Sequence, residues 1–183
     1  GTVRPFLLVG IENTQRRRDL TGPTEVAKDR GIAPQVGGSQ AYRDFIRKEL
    51  MPEVERRYRV TRERAIVGES LAGLFVVETL ALEPDLFDTY IAIDPSLWWN
   101  GGRLAQRLGA KPPSGAEKKT LYIAASADAL PDIGGALKAS LEKAPGLGFS
   151  YEAWPGETHA TVYHPAALKA RSEEHTSELQ SHH

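Results

Sequence analysis

The sequence contains no cysteine among its 183 residues. This absence excludes a disulfide framework, a cysteine-ligated zinc site and a thiol nucleophile, and it leaves the cellular compartment open. No apolar run approaches the roughly 20 residues that a membrane-spanning helix needs, and the first residues do not have the features of a signal peptide. The net charge of only −1 gives no indication of a nucleic-acid partner.

The most informative part of the sequence is a serine motif, Gly-Glu-Ser-Leu-Ala-Gly at residues 68–73. An apolar run ends directly before it at Val67, and a long apolar segment follows it from Leu74. This order of strand, G-x-S-x-G and helix predicts a sharp turn that holds Ser70 in a strained conformation with its hydroxyl exposed. The alternative interpretation of Ser70 is an ordinary helix N-cap.

Apolar runs and helical patterns alternate along the chain. Five runs are predicted as strands, at residues 5–11, 65–67, 89–93, 120–125 and 149–154. Helices are predicted at residues 39–50 with an interruption at Pro52, at 71–82, at 103–109, at 133–143 and from 166 onward. This alternation is typical of an α/β fold, in which helices cover both faces of a mostly parallel sheet.

Two segments of different character make up the chain. Residues 1–170 are predicted to form one α/β domain, which the length of the chain allows to have a substantial core. Residues 171–183 contain almost no apolar side chains and do not continue the last helix. We therefore predict a non-native or disordered tail and leave it out of the functional argument.

A serine hydroxyl is a poor nucleophile until a base removes its proton. Outside the tail the chain has only two histidines, His159 and His164. In doubly wound hydrolases the base lies on the loop after the last strand, later in the chain than the nucleophile and the acid. His159 meets both conditions, whereas His164 precedes a proline and is expected at the start of the last helix.

The acid that orients this histidine is expected on a loop at the carboxyl edge of the sheet. Asp128 follows the penultimate predicted strand and is the first choice. Asp94, at the end of the strand before it, is the other contender. Asp132 lies near a predicted helix start, where helix capping is an equally good explanation.

Two features of a binding site can also be named from the sequence. The backbone N–H of Leu71 is expected to donate to the oxyanion of an intermediate, but no loop is evident that supplies a second donor. Trp98 and Trp99 follow the strand that ends at Asp94, and they are expected either to line a substrate pocket or to pack in the core.

Taken together, the motifs resemble the alpha/beta-hydrolase esterases of the esterase D and enterochelin-esterase-like group. The matching segments are residues 9–13, 18–21, 67–74, 93–100 and 155–159. The resemblance implies serine-dependent hydrolysis of small carboxylic esters through an acyl-enzyme intermediate, without a metal or organic cofactor. It also implies that Ser70 is the nucleophile, that His159 is the base and that Asp128 stands where the acid is usual, although this family often has glutamate there.

One departure from that family concerns the start of the sequence. Family members carry more strands before the segment at residue 5, and the comparison predicts a sheet that lacks its first strands. One of these would lie between the strand at residues 5–11 and the strand at 65–67, and its loop would hold the second oxyanion donor. Two other functions stay open, an acyltransferase on the same scaffold and a non-catalytic ligand-binding fragment.

Overall fold

The computed structural model describes residues 5–13 and 15–170, so the predicted tail lies outside the described residues. Four strands form one sheet in the order β1-β2-β3-β4, and every neighbouring pair is parallel. The strands are β1 (Ala65–Glu69), β2 (Thr89–Ile93), β3 (Thr120–Ser126) and β4 (Gly148–Trp154). The α/β class and the parallel sheet predicted from the sequence are confirmed.

Helices precede the sheet and connect its strands. The helices are α1 (Arg16–Asp19), α2 (Ala27–Arg30), α3 (Ser39–Phe45), α4 (Met51–Arg57), α5 (Leu71–Leu82), α6 (Trp99–Ala110), α7 (Gly135–Glu142) and α8 (residues 163–170). A π-helical turn at Ile46–Leu50 joins α3 directly to α4, so the helix continues past Pro52 where the sequence predicted an interruption. Left-handed residues at Asn100, Gly101 and Gly102 separate the first residue of α6 from its regular part.

Both faces of the sheet are covered, because alternate residues of each strand point in opposite directions. One face packs on the cluster that includes the helices α5, α6 and α7, and α8 covers the other. Tyr90, Ala92, Leu121 and Ile123 belong to the first cluster, and Ile91, Ile93, Tyr122 and Ala124 belong to the second. The continuous apolar runs of β2 and β3 are therefore explained by burial on both sides.

The structure corrects the prediction of a strand at residues 5–11. Residues 5–13 form no strand, and Phe6 and Leu8 have 58% and 76% of their surface exposed. β1 pairs with β2 alone among the described strands, and its Val67 is 41% exposed. An apolar run adopts a strand only when a neighbouring strand accepts its hydrogen bonds and covers its side chains, and residues 5–11 are not part of the four-stranded sheet that the structure describes.

Parallel strands place their carboxyl ends at one edge of a sheet. β1 leads into Ser70, β2 into Asp94, β3 ends at Ser126, and β4 is followed by the loop that carries His159. In an open α/β sheet this edge is where ligands bind. No helix within residues 5–13 and 15–170 is long and apolar enough to cross a membrane.

Candidate active site

Ser70 occupies the junction between β1 and α5. Its backbone has φ 61° and ψ −121°, a left-handed conformation that costs free energy for any residue except glycine. A Cβ atom on Gly68 would lie 2.5 Å from the carbonyl carbon of Ala72, and one on Gly73 would lie 3.0 Å from the carbonyl oxygen of Ile93. Both glycines are therefore required by close backbone contacts, and the sharp turn that the motif predicts is present.

The turn is tied to the end of β2. The Ser70 N–H donates to the carbonyl of Ile93 at 3.1 Å, and the Ser96 N–H donates to the carbonyl of Ser70 at 3.1 Å. The Ser70 Oγ lies 3.4 Å from the Oγ of Ser96, which is buried. Ser70 has no side-chain capping bond to α5, so the structure does not support the N-cap interpretation.

The acid that contacts the imidazole ring of His159 is Asp94 rather than Asp128. The Nδ1 atom of His159 lies 2.8 Å from Oδ2 of Asp94. The Asp94 side chain is fully buried, whereas half of the His159 side chain is exposed. Because the carboxylate is an acceptor, Nδ1 carries the proton in this pair and Nε2 is left free to accept one.

Asp94 also has an unusual backbone conformation. Asp94 has φ 47°, a left-handed conformation directly after the last residue of β2. Its own N–H still donates to the carbonyl of Ala124 at 2.8 Å, as a further rung of the ladder between β2 and β3. The strained residue thus remains attached to the sheet.

The expectation that Asp128 orients the imidazole is not met by the geometry. The Asp128 Oδ2 accepts the backbone N–H of His159 at 2.8 Å, so the residue holds the main chain of the loop and not the ring. Asp132 ends a short 3-10 helix (Leu130–Asp132), where burial raises the pKa of its carboxyl. His164 lies in α8, and its ring packs edge-on against Tyr163 with the ring centroids 5.6 Å apart.

Two serines near the site were not singled out from the sequence. Ser126, the last residue of β3, is fully buried and donates two hydrogen bonds to Asp94, from its N–H at 2.6 Å and from its Oγ at 2.7 Å. Ser96 lies beside the hydroxyl of Ser70. The one signal that could have found them is position, because both lie at or just after the carboxyl end of a central strand.

Other groups surround the serine. As the first residue of α5, Leu71 has a backbone N–H without an acceptor inside the helix, as an oxyanion donor requires. Burial raises the pKa of the Glu69 carboxyl, and the nearby His159 partly offsets this effect. Arg16 donates from Nη2 to the carbonyl of Glu69 at 3.3 Å. No hydrogen bond joins Ser70 to His159 in the part of the chain that the structure describes.

The two tryptophans differ in their surroundings. Trp99 is buried, and its indole N–H donates to the carbonyl of Gly22 at 2.9 Å. Trp98 is 44% exposed, with its ring centroid 6.0 Å from that of Trp99. Trp99 therefore anchors the loop before α2 to the protein, and only Trp98 offers an aromatic surface to a ligand. Across residues 5–13 and 15–170, no three acidic or histidine side chains are grouped as a metal site needs.

Comparison with known proteins connects this geometry to one enzyme family. Residues 1–133 match the model of the Esterase family, which is described as "putative esterase". The ferri-bacillibactin esterase BesA of Bacillus subtilis (strain 168) is 40% identical over 111 residues, which cover 54% of this chain and 38% of that protein. The siderophore triacetylfusarinine C esterase of Aspergillus fumigatus is 40% identical over 90 residues, 46% of this chain and 29% of that protein. The chain thus spans well under half the length of these curated relatives.

Solved structures show the same fold. An IroE-like serine hydrolase from Shewanella oneidensis superposes with a TM-score of 0.74 and 28% sequence identity, over 88% of this chain and 57% of that one. A structure described as the enterobactin hydrolase IroE in complex with DFP has a TM-score of 0.69 and 25% identity, over 85% of this chain and 62% of that one.

Proposed function

Because this chain belongs to the Esterase family, we propose that it is a serine esterase that hydrolyses carboxylic esters through an acyl-enzyme intermediate. The observation that carries the proposal is the left-handed Ser70 at the junction of strand and helix. A serine hydroxyl held there is exposed to a substrate and next to the free N–H groups of a helix start. The His159–Asp94 pair at the same edge of the sheet supports the proposal further.

Each residue has a defined role in the proposed reaction. The Oγ of Ser70 attacks the ester carbonyl carbon while Nε2 of His159 takes the hydroxyl proton. Asp94 holds the imidazole in the tautomer with the proton on Nδ1 and stabilises the imidazolium that forms. The N–H of Leu71 donates to the oxyanion of the tetrahedral intermediate.

The rest of the reaction has two stages, release of the alcohol and hydrolysis of the acyl-enzyme. The carbon–oxygen bond of the ester breaks, the leaving alcohol receives the proton from His159, and the acyl group stays on Ser70 as an ester. A water molecule next gives a proton to His159 and attacks the acyl carbon. The bond between this carbon and Oγ of Ser70 then breaks, His159 returns the proton to Oγ, and the carboxylic acid is released. The proposed reaction thus takes its nucleophile, its base, its orienting acid and one oxyanion donor from this chain's own residues.

The names of the curated relatives indicate which class of substrate to test first. One curated relative is described as a ferri-bacillibactin esterase and the other as a siderophore triacetylfusarinine C esterase. We therefore infer that a siderophore ester is the first class of small-molecule substrate to test on this chain. Trp98 is exposed and lies two residues after Ser96, whose hydroxyl faces that of Ser70. It is the residue that we expect to contact an aromatic part of such a substrate.

The test combines turnover with covalent labelling. Purified chain is incubated with p-nitrophenyl acetate, and separately with a fluorophosphonate whose adduct is located by mass spectrometry. We expect label on Ser70 alone and loss of both readouts in Ser70→Ala, with a decrease in kcat on the order of 10⁶ for a complete triad. The matched control is Ser140→Ala, which removes a buried hydroxyl of α7 that has no hydrogen-bond partner among the described residues.

Two outcomes would contradict the proposal or change its class. Equal labelling of the wild-type chain and of Ser70→Ala would show that Ser70 is not the nucleophile. If an added alcohol accelerates release of p-nitrophenol and its acetyl ester accumulates in place of acetate, the chain is an acyltransferase on the same scaffold.

A further inference from the structure

Ser126 makes three hydrogen bonds near the site. None of the three joins it to Ser70 or to the imidazole. Its N–H donates to Oδ1 of Asp94 at 2.6 Å, and its Oγ lies 2.7 Å from Oδ2 of the same carboxylate. That Oδ2 atom is the one that faces Nδ1 of His159. Both side chains are fully buried, so water does not replace these contacts.

The direction of the Ser126 hydroxyl is determined by a third contact. The backbone N–H of Asp128 donates to the Oγ of Ser126 at 3.2 Å. An oxygen that accepts this hydrogen bond keeps its own proton for another acceptor, and the Asp94 carboxylate is the acceptor within reach. The Ser126 hydroxyl therefore donates to Asp94 in one defined direction.

A closed ring of hydrogen bonds results. Asp128 donates to Ser126, Ser126 donates to Asp94, and Asp94 accepts from the His159 ring. The ring closes because the backbone N–H of His159 donates to the carboxylate of Asp128 at 2.8 Å. The ends of β2 and β3 and the loop after β4 are thus joined through four residues.

We propose that Ser126 is a positioning residue of the active site, which orients the Asp94 carboxylate toward His159, and that Asp128 completes this function by holding the main chain of His159. The inference rests on the proposed esterase function, because it gives a role to residues that act through Asp94 and His159. Neither Ser126 nor Asp128 touches the reacting atoms.

A buried carboxylate can still rotate about the bond between its Cβ and Cγ atoms. With both Ser126 donors present, rotation about the bond between Cβ and Cγ of Asp94 breaks a charge-assisted hydrogen bond on either oxygen. Without the hydroxyl, only the N–H on Oδ1 remains, and Oδ2 has His159 as its one partner. A carboxylate that leaves the ring plane loses its control of the imidazole tautomer, which lowers the rate without changing substrate binding.

The experiment compares Ser126→Ala with Ser140→Ala, which removes an equally small hydroxyl outside the ring. From one hydrogen bond to a charged group, we expect Ser126→Ala to lower kcat about 10-fold to 100-fold with little change in KM. The low-field proton resonance of the His159 Nδ1–H is followed in parallel by NMR, because it reports the contact with Asp94 without any turnover. We expect this resonance to move or to exchange faster in Ser126→Ala and to stay in place in Ser140→Ala.

A second pair of variants tests the role of Asp128. Asp128→Asn keeps an oxygen that can accept the His159 N–H, whereas Asp128→Ala has none. We expect the alanine variant to weaken the Nδ1–H resonance and the asparagine variant to retain it. Equal spectra and equal kcat for Ser126→Ala and Ser140→Ala would overturn the proposal for Ser126, and equal spectra for the two Asp128 variants would overturn it for Asp128.

Turnover and labelling test the proposed esterase function, whereas the NMR resonance of the His159 Nδ1–H tests the positioning role of Ser126 and Asp128. If no variant and no wild-type chain turns over an ester or takes the fluorophosphonate, the esterase proposal fails. The NMR resonance still shows in that case whether Ser126 and Asp128 position the His159–Asp94 pair.

Discussion

At the scale of single residues, His159 contacts two carboxylates through different atoms. Asp94 contacts the ring at Nδ1, and Asp128 contacts the backbone N–H. Only the first contact can select the tautomer of the imidazole and stabilise its positive charge. The structure thus places one carboxylate at the ring and the other at the main chain of the loop, and the sequence could not distinguish these two contacts between the two aspartates.

This separation leads to a prediction about two matched asparagine substitutions. Asp94→Asn places an amide against the imidazole and favours the wrong tautomer, so kcat should fall by about 10⁴. Asp128→Asn keeps an acceptor for the backbone N–H, so kcat should fall by less than about 10-fold. Steady-state kinetics on one p-nitrophenyl ester checks both, and the reverse order of effects would return the acid to Asp128.

At the scale of elements, a buried arginine joins the helix α3 to the nucleophile helix α5. The Arg43 side chain is 2% exposed, and its guanidinium contacts Glu78 at 2.7 Å and Glu83 at 3.1 Å. Its guanidinium carbon also lies 5.8 Å from the centre of the Phe75 ring. Because α5 begins at the serine turn, this network holds the far end of the helix that positions Ser70.

Removal of this arginine should destabilise the fold. Arg43→Ala leaves the partly buried carboxylate of Glu78 without its arginine, whereas Glu83 keeps Arg47. The free energy of unfolding should fall by about 3–5 kcal/mol. The control is Arg56→Ala, whose ion pair with Glu53 is exposed and should contribute about 0–1 kcal/mol. Urea denaturation of both variants checks the difference, and equal losses would show that the Arg43 network adds nothing beyond a surface pair.

The same network gives a pH dependence with a defined sign. Burial raises the pKa of Glu83, but the hydrogen bonds from Arg47, Gln40 and Arg43 outweigh that effect, so the pKa is lowered from its ordinary value of 4.5. A carboxyl whose pKa is lower in the folded than in the unfolded state stabilises the fold above the unfolded-state pKa. This stabilisation is lost as the pH falls through the folded-state pKa.

We therefore expect the urea midpoint to fall as the pH is lowered from about 5 to about 3, and to fall less steeply in Glu83→Gln. Glu142→Gln, at an exposed end of α7, serves as the control and should keep the slope of the wild-type chain. A slope in Glu83→Gln as steep as that of the wild type would contradict this origin.

At the scale of the whole molecule, β1 is an edge strand of the sheet that the structure describes. β1 pairs on one side only among the strands that the structure describes, and Val67 on it is 41% exposed. A strand edge with free N–H and carbonyl groups and apolar side chains is a template for pairing with another chain. We expect the chain to associate as its concentration rises.

A charged residue on this edge should reduce association. Val67→Lys places a charge on β1, where it opposes pairing with a second chain. Val60→Lys is the matched control, because Val60 is also 41% exposed but lies outside the strands. Sedimentation velocity over a range of concentrations measures the effect, and equal reduction by both variants would show that general solubility and not the strand edge is responsible.

Local patterns in the sequence were sufficient for most of the elements and for the serine turn. The strands β2 and β3 are runs of apolar residues buried on both faces, and the limits of α5 follow from the serine motif and from Pro84. The strain at Ser70 could also be predicted, because the two glycines and the change from strand to helix lie within six residues of sequence. The candidate base His159 followed from its place after the last strand.

Only the tertiary structure decided what depends on distances between separate strands. The contact between Asp94 and His159 joins residues 65 positions apart in the sequence. The left-handed backbone at Asp94 and the hydrogen bonds from Ser126 that accompany this contact leave no pattern in the residues nearby. The apolar run at residues 5–11 had the composition of a strand, yet it forms none. Composition determines which residues prefer burial, whereas pairing and contact require a partner that the fold must supply.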